Sequence, residues 1–210
     1  MTITYHDIKQ GSPEWLTLKA GIIGGSRVKQ VFAKNNLPFI DLLISELMTG
    51  RIEEMRITPA MQNGIDLEPL ALGEYKKQTG NKLKSTGMIT NSLYPRCGLS
   101  PDSLAIDDKG KVYGAVEAKC PNPKNHAQYI RTNTVPAEYK YQVMHYFYIE
   151  PSIQWVDFIS YCPSFKYKKL HIVRVNRDDI IQDLADYAKA VQSFISKLEK
   201  YERQVMEVEF

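Results

Sequence analysis

Val112-Tyr113-Gly114-Ala115-Val116-Glu117-Ala118-Lys119 is a run of small, β-branched and aromatic residues placed just after the turn signal Asp107-Asp108-Lys109-Gly110, a pattern that predicts a strand. Alternate side chains of a strand share a face. Glu117 and Lys119 therefore point one way while Ala118 points into the core. The preceding arm, Cys97 to Ile106, reads as the hairpin partner that returns Asp102 of Ser100-Pro101-Asp102 to the same edge.

Two carboxylates and a backbone carbonyl make a hard oxygen site suited to Mg²⁺, which retains waters that can be positioned for attack. An adjacent ammonium, Lys119, would orient such a water or stabilise charge building on phosphorus. This is a compact kit for phosphodiester hydrolysis. The same residues also fit a plainer reading, in which Asp102 belongs to a Pro-Asp turn and Glu117 with Lys119 forms a solvated ion pair.

Working outward, Ser12-Pro13-Glu14-Trp15 signals a helix start, with Ser12 as N-cap, Pro13 at the first position, and Trp15 and Leu18 facing inward. Gly21-Ile22-Ile23-Gly24-Gly25-Ser26 breaks that helix and predicts a second, capped by Ser26 and running to about Lys34. A helix start of this kind, with Lys19 and Arg27 nearby, could hold a phosphate. It equally fits an ordinary cap.

Pro38 to Met48 and Thr58 to Gln78 carry apolar residues at helical spacing and predict core helices, the second closed by Thr79-Gly80. Within it, Glu68 precedes Pro69 and faces the proposed cleft if the proline is tolerated. Asn125 to Arg131 predicts a short helix. Pro136 to Ile149 predicts a longer one, with Tyr139, Gln142 and His145 on one stripe. Ser152 to Tyr161 and Lys168 to Val175 predict a hairpin, Asp178 to about Tyr201 a closing helix, and Gln204 to Phe210 a frayed end. The order predicts a mixed α/β fold, a central mixed β-sheet flanked by helices, in a single domain spanning 1–210.

With 210 residues and 43% hydrophobic content the chain can bury a real core. A formal charge of +3 permits nucleic-acid binding only through local patches. Cys97, Cys120 and Cys162 form no C-x-x-C pair, which argues against a disulfide framework or a zinc ribbon. His6, His126, His145 and His171 lack ligand spacing. The start of the chain carries no leader pattern, and no apolar run approaches the ~20 residues a bilayer needs. A soluble, cytoplasmic protein is expected.

Taken together, Glu14-Trp15-Leu16 with Gly21 to Ser26, Asn63-Gly64 to Glu68-Pro69, Ser100-Pro101-Asp102, Glu117-Ala118-Lys119-Cys120-Pro121 and Tyr139 to Gln142 resemble the phage lambda exonuclease and YqaJ-like viral recombinase (alkaline exonuclease) family. The five motifs stand in the family's order across residues 11 to 149. The family belongs to the PD-(D/E)xK nucleases, so the resemblance implies a restriction-endonuclease-like core. It also implies Mg²⁺-dependent 5′→3′ digestion of one strand of linear duplex DNA, leaving a 3′ overhang for recombination by strand annealing.

Position by position, the resemblance makes Asp102, Glu117 and the Ala118 carbonyl metal ligands, with Lys119 placing the attacking water. Glu68 completes the acidic cluster, and Gln142 and Tyr139 line the site. Lys19 and Ser26 would hold the terminal 5′-phosphate, while Arg27, Lys124, Arg131 and Lys140 would touch DNA. Two ions are implied, Mg²⁺ or Mn²⁺ in its place. A homotrimeric ring, a single-strand annealing partner and a phage or prophage origin in a bacterial host are implied as well. Two departures stand out: Lys19 where relatives often carry Arg, which exchanges a planar fork for a point charge, and Ser103 where Gly is usual. A structure-specific or restriction-type endonuclease, or a non-catalytic DNA-end-binding protein, would use the same residues differently.

Overall fold

The computed structural model describes residues 1–52 and 57–207. In chain order it forms β1 (Ile3–His6), α1 (Pro13–Lys19), β2 (Ile23–Gly24), α2 (Leu37–Thr49), α3 (Pro59–Thr79), β3 (Lys82–Lys84), β4 (Met88–Asn91), β5 (Cys97–Leu99) and β6 (Ser103–Ile106). There follow β7 (Val112–Lys119), α4 (Pro123–Thr132), α5 (Lys140–Ile149), β8 (Trp155–Tyr161), β9 (Leu170–Asn176) and α6 (Ile181–Met206). Helix starts obey their local chemistry. Ser12, Thr58 and Asn122 each accept a backbone N–H three residues on, and each is followed by proline. Gly50 and Gly80 end α2 and α3 in the left-handed conformation that glycine adopts without strain.

The strands build two sheets, where a single central sheet is expected from the sequence. Five strands lie in the order β3-β6-β7-β8-β9, and four in the order β1-β4-β5-β2. The predicted arm from Cys97 to Ile106 is therefore two strands. β5 pairs in the smaller sheet, β6 pairs with β7 in the larger, and Ser100-Pro101-Asp102 is the crossing between them. In the larger sheet β7 is central, antiparallel to β6 and parallel to β8, with Lys119 opposite Ser160.

β7 is buried on both faces. Ala115 joins a core that includes Val143, Phe147 and Ile149 of α5 and Tyr187, Val191 and Leu198 of α6. On the other face Val116 and Ala118 pack with Ala71 and Tyr75 of α3. The alternation that places Glu117 and Lys119 on one side and Ala118 on the other is the one the sequence predicts. α3, expected to be a core helix, buries only Ala71 and Tyr75. Its first half lies at the surface, with Ile65 and Leu70 more than half exposed. The helix runs unbroken through Pro69, because water can reach the carbonyl that the missing N–H leaves free.

The helix predicted from Ser26 is instead a 3₁₀ segment, Val28–Phe32, with Arg27 at its cap position and no side-chain cap bond. Ile23–Gly24 is already committed to parallel pairing with Cys97–Gly98, which fixes the loop in extended form before the turn. At the other end α6 continues to Met206, beyond the predicted fray point, and 208–210 lie outside the described residues. Among the described residues no helix is long and apolar enough to cross a membrane.

α3 is fastened to the sheet by a buried polar contact. The Tyr75 hydroxyl donates to Asp157 Oδ2 at 2.6 Å, and Arg174 donates to both oxygens of the same carboxylate at 2.7 Å. Tyr75→Phe leaves the Asp157 and Arg174 pair intact but removes the hydrogen bond to a charged acceptor, about 1.5–3 kcal/mol, together with the one the hydroxyl accepts from Asn81 at 2.8 Å. A urea unfolding midpoint below wild type is the expected result.

Candidate active site

Asp102 sits in the crossing between the sheets, fixed to the central strand by a bond from the Ala118 N–H to its Oδ2 at 2.7 Å. Two side chains, Trp15 and Gln10, further hold the crossing. The Trp15 indole N–H reaches Ser100 Oγ and the Gly87 carbonyl, both at 3.0 Å, and the Gln10 amide donates to the Pro101 carbonyl at 3.0 Å. Ser103, where Gly is usual in the resembled family, opens β6 with its hydroxyl turned to the Lys84 carbonyl, so the turn accommodates it.

Glu117 is buried, 1% exposed, and fully engaged. Oε1 accepts from Lys119 Nζ at 2.5 Å and from Gln142 Nε2 at 2.7 Å, while Oε2 accepts from the Tyr146 hydroxyl at 2.5 Å. Glu68 of α3 joins Asp102, Lys119, Cys120 and Tyr139 in lining a cleft of about 440 Å³. The Tyr139 ring centroid lies 5.0 Å from Lys119 Nζ. The structure thus brings together Glu68, Asp102, Glu117, Lys119, Tyr139 and Gln142.

Three carboxylates here face one ammonium. Burial, and after it the Glu117 charge, hold the Asp102 carboxyl well above the usual carboxylate range, and the same two causes raise Glu68. Burial works against the Lys119 ammonium, but Glu117 and Asp102 outweigh it and keep the amine charged. A low-dielectric pocket with this excess of acid is stabilised by an added cation. Oxygen-only donors at this charge fit a hard divalent ion such as Mg²⁺. Among the described residues no three acidic, histidine or cysteine groups converge on one point, because Glu117 is turned toward Lys119, Gln142 and Tyr146. Ligation would require Glu117 to share an oxygen.

The glycine loop lies against Gln142, the residue that donates to Glu117. A Cβ added to Gly25 would stand 3.4 Å from Gln142 Cγ, and one added to Gly24 would stand 3.9 Å from Lys19 Cε. Ser26 is exposed. Lys19 Nζ lies 4.1 Å above the Trp15 ring, and burial, then the Arg27 charge, lower its pKa to about 8. Arg27 has a different task from the DNA contact expected of it. It pairs with buried Glu46 at 2.6 Å and donates to the Ile22 and Lys19 carbonyls, while Glu46 also accepts the Gly21 N–H at 2.9 Å. This ion pair shapes the loop. Lys124 and Arg131 are exposed on α4, and Lys140 pairs with Asp183 at 3.1 Å.

Sequence reasoning missed Tyr146, Trp15 and Gln10. Tyr146 was within reach, since it lies four residues after Gln142 and so on the same helical face. The Trp15 and Gln10 contacts join distant segments and leave no local signal.

The model of the YqaJ-like viral recombinase domain matches residues 14–150. Comparison with curated proteins gives no match. Among solved structures, an alkaline exonuclease from Laribacter hongkongensis is 30% identical with a TM-score of 0.82, covering 93% of this chain and 96% of that one. Its complex with dAMP matches at 30% identity and the same TM-score over 92% and 96%. A phage related exonuclease from Haemophilus somnus 129PT matches over 97% and 96% at 13% identity and TM-score 0.56, which shows the fold alone. The restriction-endonuclease-like architecture expected from the sequence is the one observed.

Tyr146→Phe removes the donor on Glu117 Oε2 while preserving the ring. Loss of a partner that orients an ion-binding carboxylate typically costs 10–100-fold in metal affinity or activity. A titration with Mg²⁺ is expected to show a half-saturating concentration raised within about that range.

Proposed function

The chain belongs to the YqaJ-like viral recombinase family, and from that premise we propose that its acidic cleft hydrolyses linear duplex DNA from an end. Digestion runs 5′→3′ on one strand and leaves a 3′ single-stranded overhang for annealing-based recombination. The observation that supports this reading is that Glu68, Asp102 and Lys119 line one cleft while buried Glu117 bonds the Lys119 ammonium from behind.

Asp102, Glu117 and the Ala118 carbonyl would hold Mg²⁺, or Mn²⁺ in its place, which when bound supplies Lewis acidity to a phosphodiester oxygen and to a water. Three carboxylates against one ammonium balance a single divalent ion; the second ion implied by the family would need ligands beyond these residues. Lys119 holds the nucleophilic water by hydrogen bonding and, as a retained cation, offsets charge gathering on phosphorus. Gln142 and Tyr146 keep Glu117 aimed. Glu68 closes the cleft from α3, and Tyr139 shields one side of the ammonium. Lys19 and Ser26 receive the terminal 5′-phosphate.

The assembly follows the same premise. We place three copies in a ring around DNA, with a single-strand annealing protein taking up the exposed strand, in a bacterial cell hosting a phage or prophage. Sizing the protein with light scattering tests the ring.

End-labelled linear duplex, with and without Mg²⁺, tests the reaction directly. Ion-dependent release of nucleotides from 5′ ends is expected, and cutting of closed circular DNA would overturn the end-directed reading. Lys119→Ala should keep DNA binding and lose roughly 10²-fold or more in rate, as removal of one transition-state contact does. Turnover like wild type would remove Lys119 from its role.

A third test uses pH. With its pKa lowered to about 8, Lys19 is charged below that value and loses its charge above it. The rate ratio of 5′-phosphorylated to 5′-hydroxyl ends should therefore fall as pH rises from 7 to 9. Lys19→Arg, which stays protonated, should flatten that fall, whereas a profile equal to wild type would deny Lys19 the phosphate.

A further inference from the structure

The turn between β8 and β9 reads Pro163-Ser164-Phe165-Lys166-Tyr167-Lys168-Lys169. β7 and β8 run parallel with Lys119 opposite Ser160, so this turn leaves the sheet at the same end as the acidic cleft. Tyr167 is 87% exposed, the most exposed large apolar or aromatic side chain among the described residues. Its ring centroid lies 5.2 Å from the ammonium of Lys166.

The tip is held on both sides of that tyrosine. His126 of α4 bonds Ser160 Oγ through Nδ1 and the Lys168 carbonyl through Nε2, each at 2.7 Å. The Phe165 ring meets His126 edge-on at 4.9 Å, and Cys162 N–H donates to the Lys169 carbonyl at 2.8 Å. A pinned backbone keeps Tyr167 in the open, where burial would otherwise be favourable.

Charge is segregated at this edge. Residues 158–171, which form the tip, contain Lys166, Lys168 and Lys169 and no Asp or Glu, and α4 behind them adds Lys124 and Arg131 without an acid, in a chain whose formal charge is only +3. Arg174 and Arg177 are engaged internally. Lys124, Arg131, Lys166, Lys168 and Lys169 are exposed, and none has a carboxylate within 4.0 Å among the described residues.

Cations flanking an exposed aromatic ring are a stacking platform for unpaired bases, with the backbone phosphates tracked by lysine. Duplex DNA offers the lysines phosphates but offers the ring no free base face. We infer that the β8–β9 tip is a binding site for single-stranded DNA, in which Tyr167 stacks on a base and Lys166, Lys168 and Lys169 contact phosphates. That the occupant is the strand spared by digestion rests on the exonuclease reading above. The affinity for a single strand does not.

The test measures binding of a fluorescent oligothymidylate and of a blunt duplex across a salt series, without divalent ions so that nothing is cut. Tyr167→Ala should weaken the single strand at least about 5-fold with its salt slope unchanged. The combined change of Lys166, Lys168 and Lys169 to Ala should flatten that slope by about 2, as expected for three lost phosphate contacts on a single strand. Both variants should melt at the wild-type temperature, because the altered side chains are exposed. Unchanged oligothymidylate binding overturns the inference, and so does an equal loss by Tyr167→Ala on the duplex. Loss of single-strand binding in the variants of a protein that proves inactive on DNA ends would sustain this site while removing the exonuclease reading.

Discussion

One hydrogen bond organises the molecule, that from the Ala118 N–H to Asp102 Oδ2 at 2.7 Å. Asp102 occupies the point where the chain leaves the four-stranded sheet for the five-stranded one, and Ala118 lies in the strand at the centre of the larger sheet. The bond therefore sets the position of one sheet against the other and, in the same contact, sets Asp102 beside Glu117. A carboxylate accepting from a backbone N–H is held more firmly than one on a loop. Moving either sheet would move a functional group.

The cleft built on this contact carries more acid than base. Glu117 has used each oxygen on a neighbour, while Asp102 and Glu68 are raised by burial and by its charge. Such an arrangement is unfavourable for folding and useful for binding a cation, a trade common where a site is prepared for something it does not itself contain. The cost falls on well-anchored elements. α5 is nearly all buried and carries Gln142 and Tyr146, and α3 is fastened through Tyr75, two turns beyond Glu68.

Period-two alternation in 112–119 and the turn signal before it made Glu117, Lys119 and the return of Asp102 legible in the sequence. The cap at Ser12 and the glycine after Thr79 were legible because they act over three or four residues. The split into two sheets was not, since Cys97 to Ile106 is continuously apolar apart from Ser100-Pro101-Asp102 and Ser103, and the parallel pairing that draws Cys97 and Gly98 into the smaller sheet is with the distant Ile23 and Gly24. The Ser26 cap failed for a similar reason. Glycine-glycine-serine has the form of a helix start, but Glu46, 19 residues beyond Arg27, captures that arginine and ties the loop to α2. The exposed first half of α3 was hidden because apolar residues at helical spacing look alike whether they meet a core or line a cleft.

Trp15 shows how recognition of an end and cleavage can be mechanically joined. Its ring carries Lys19 on one face at 4.1 Å, and its N–H grips Ser100, two residues before Asp102. The Lys19 contact and the Ser100 bond are thus made by one rigid indole. The proposed phosphate seat and the crossing that bears Asp102 therefore share one anchoring side chain. Such a shared anchor suits an enzyme that measures its cut from a terminus, because a strand entering without an end has no group to place at Lys19. An endonuclease would gain nothing from the connection, which is the physical ground for preferring end-directed hydrolysis.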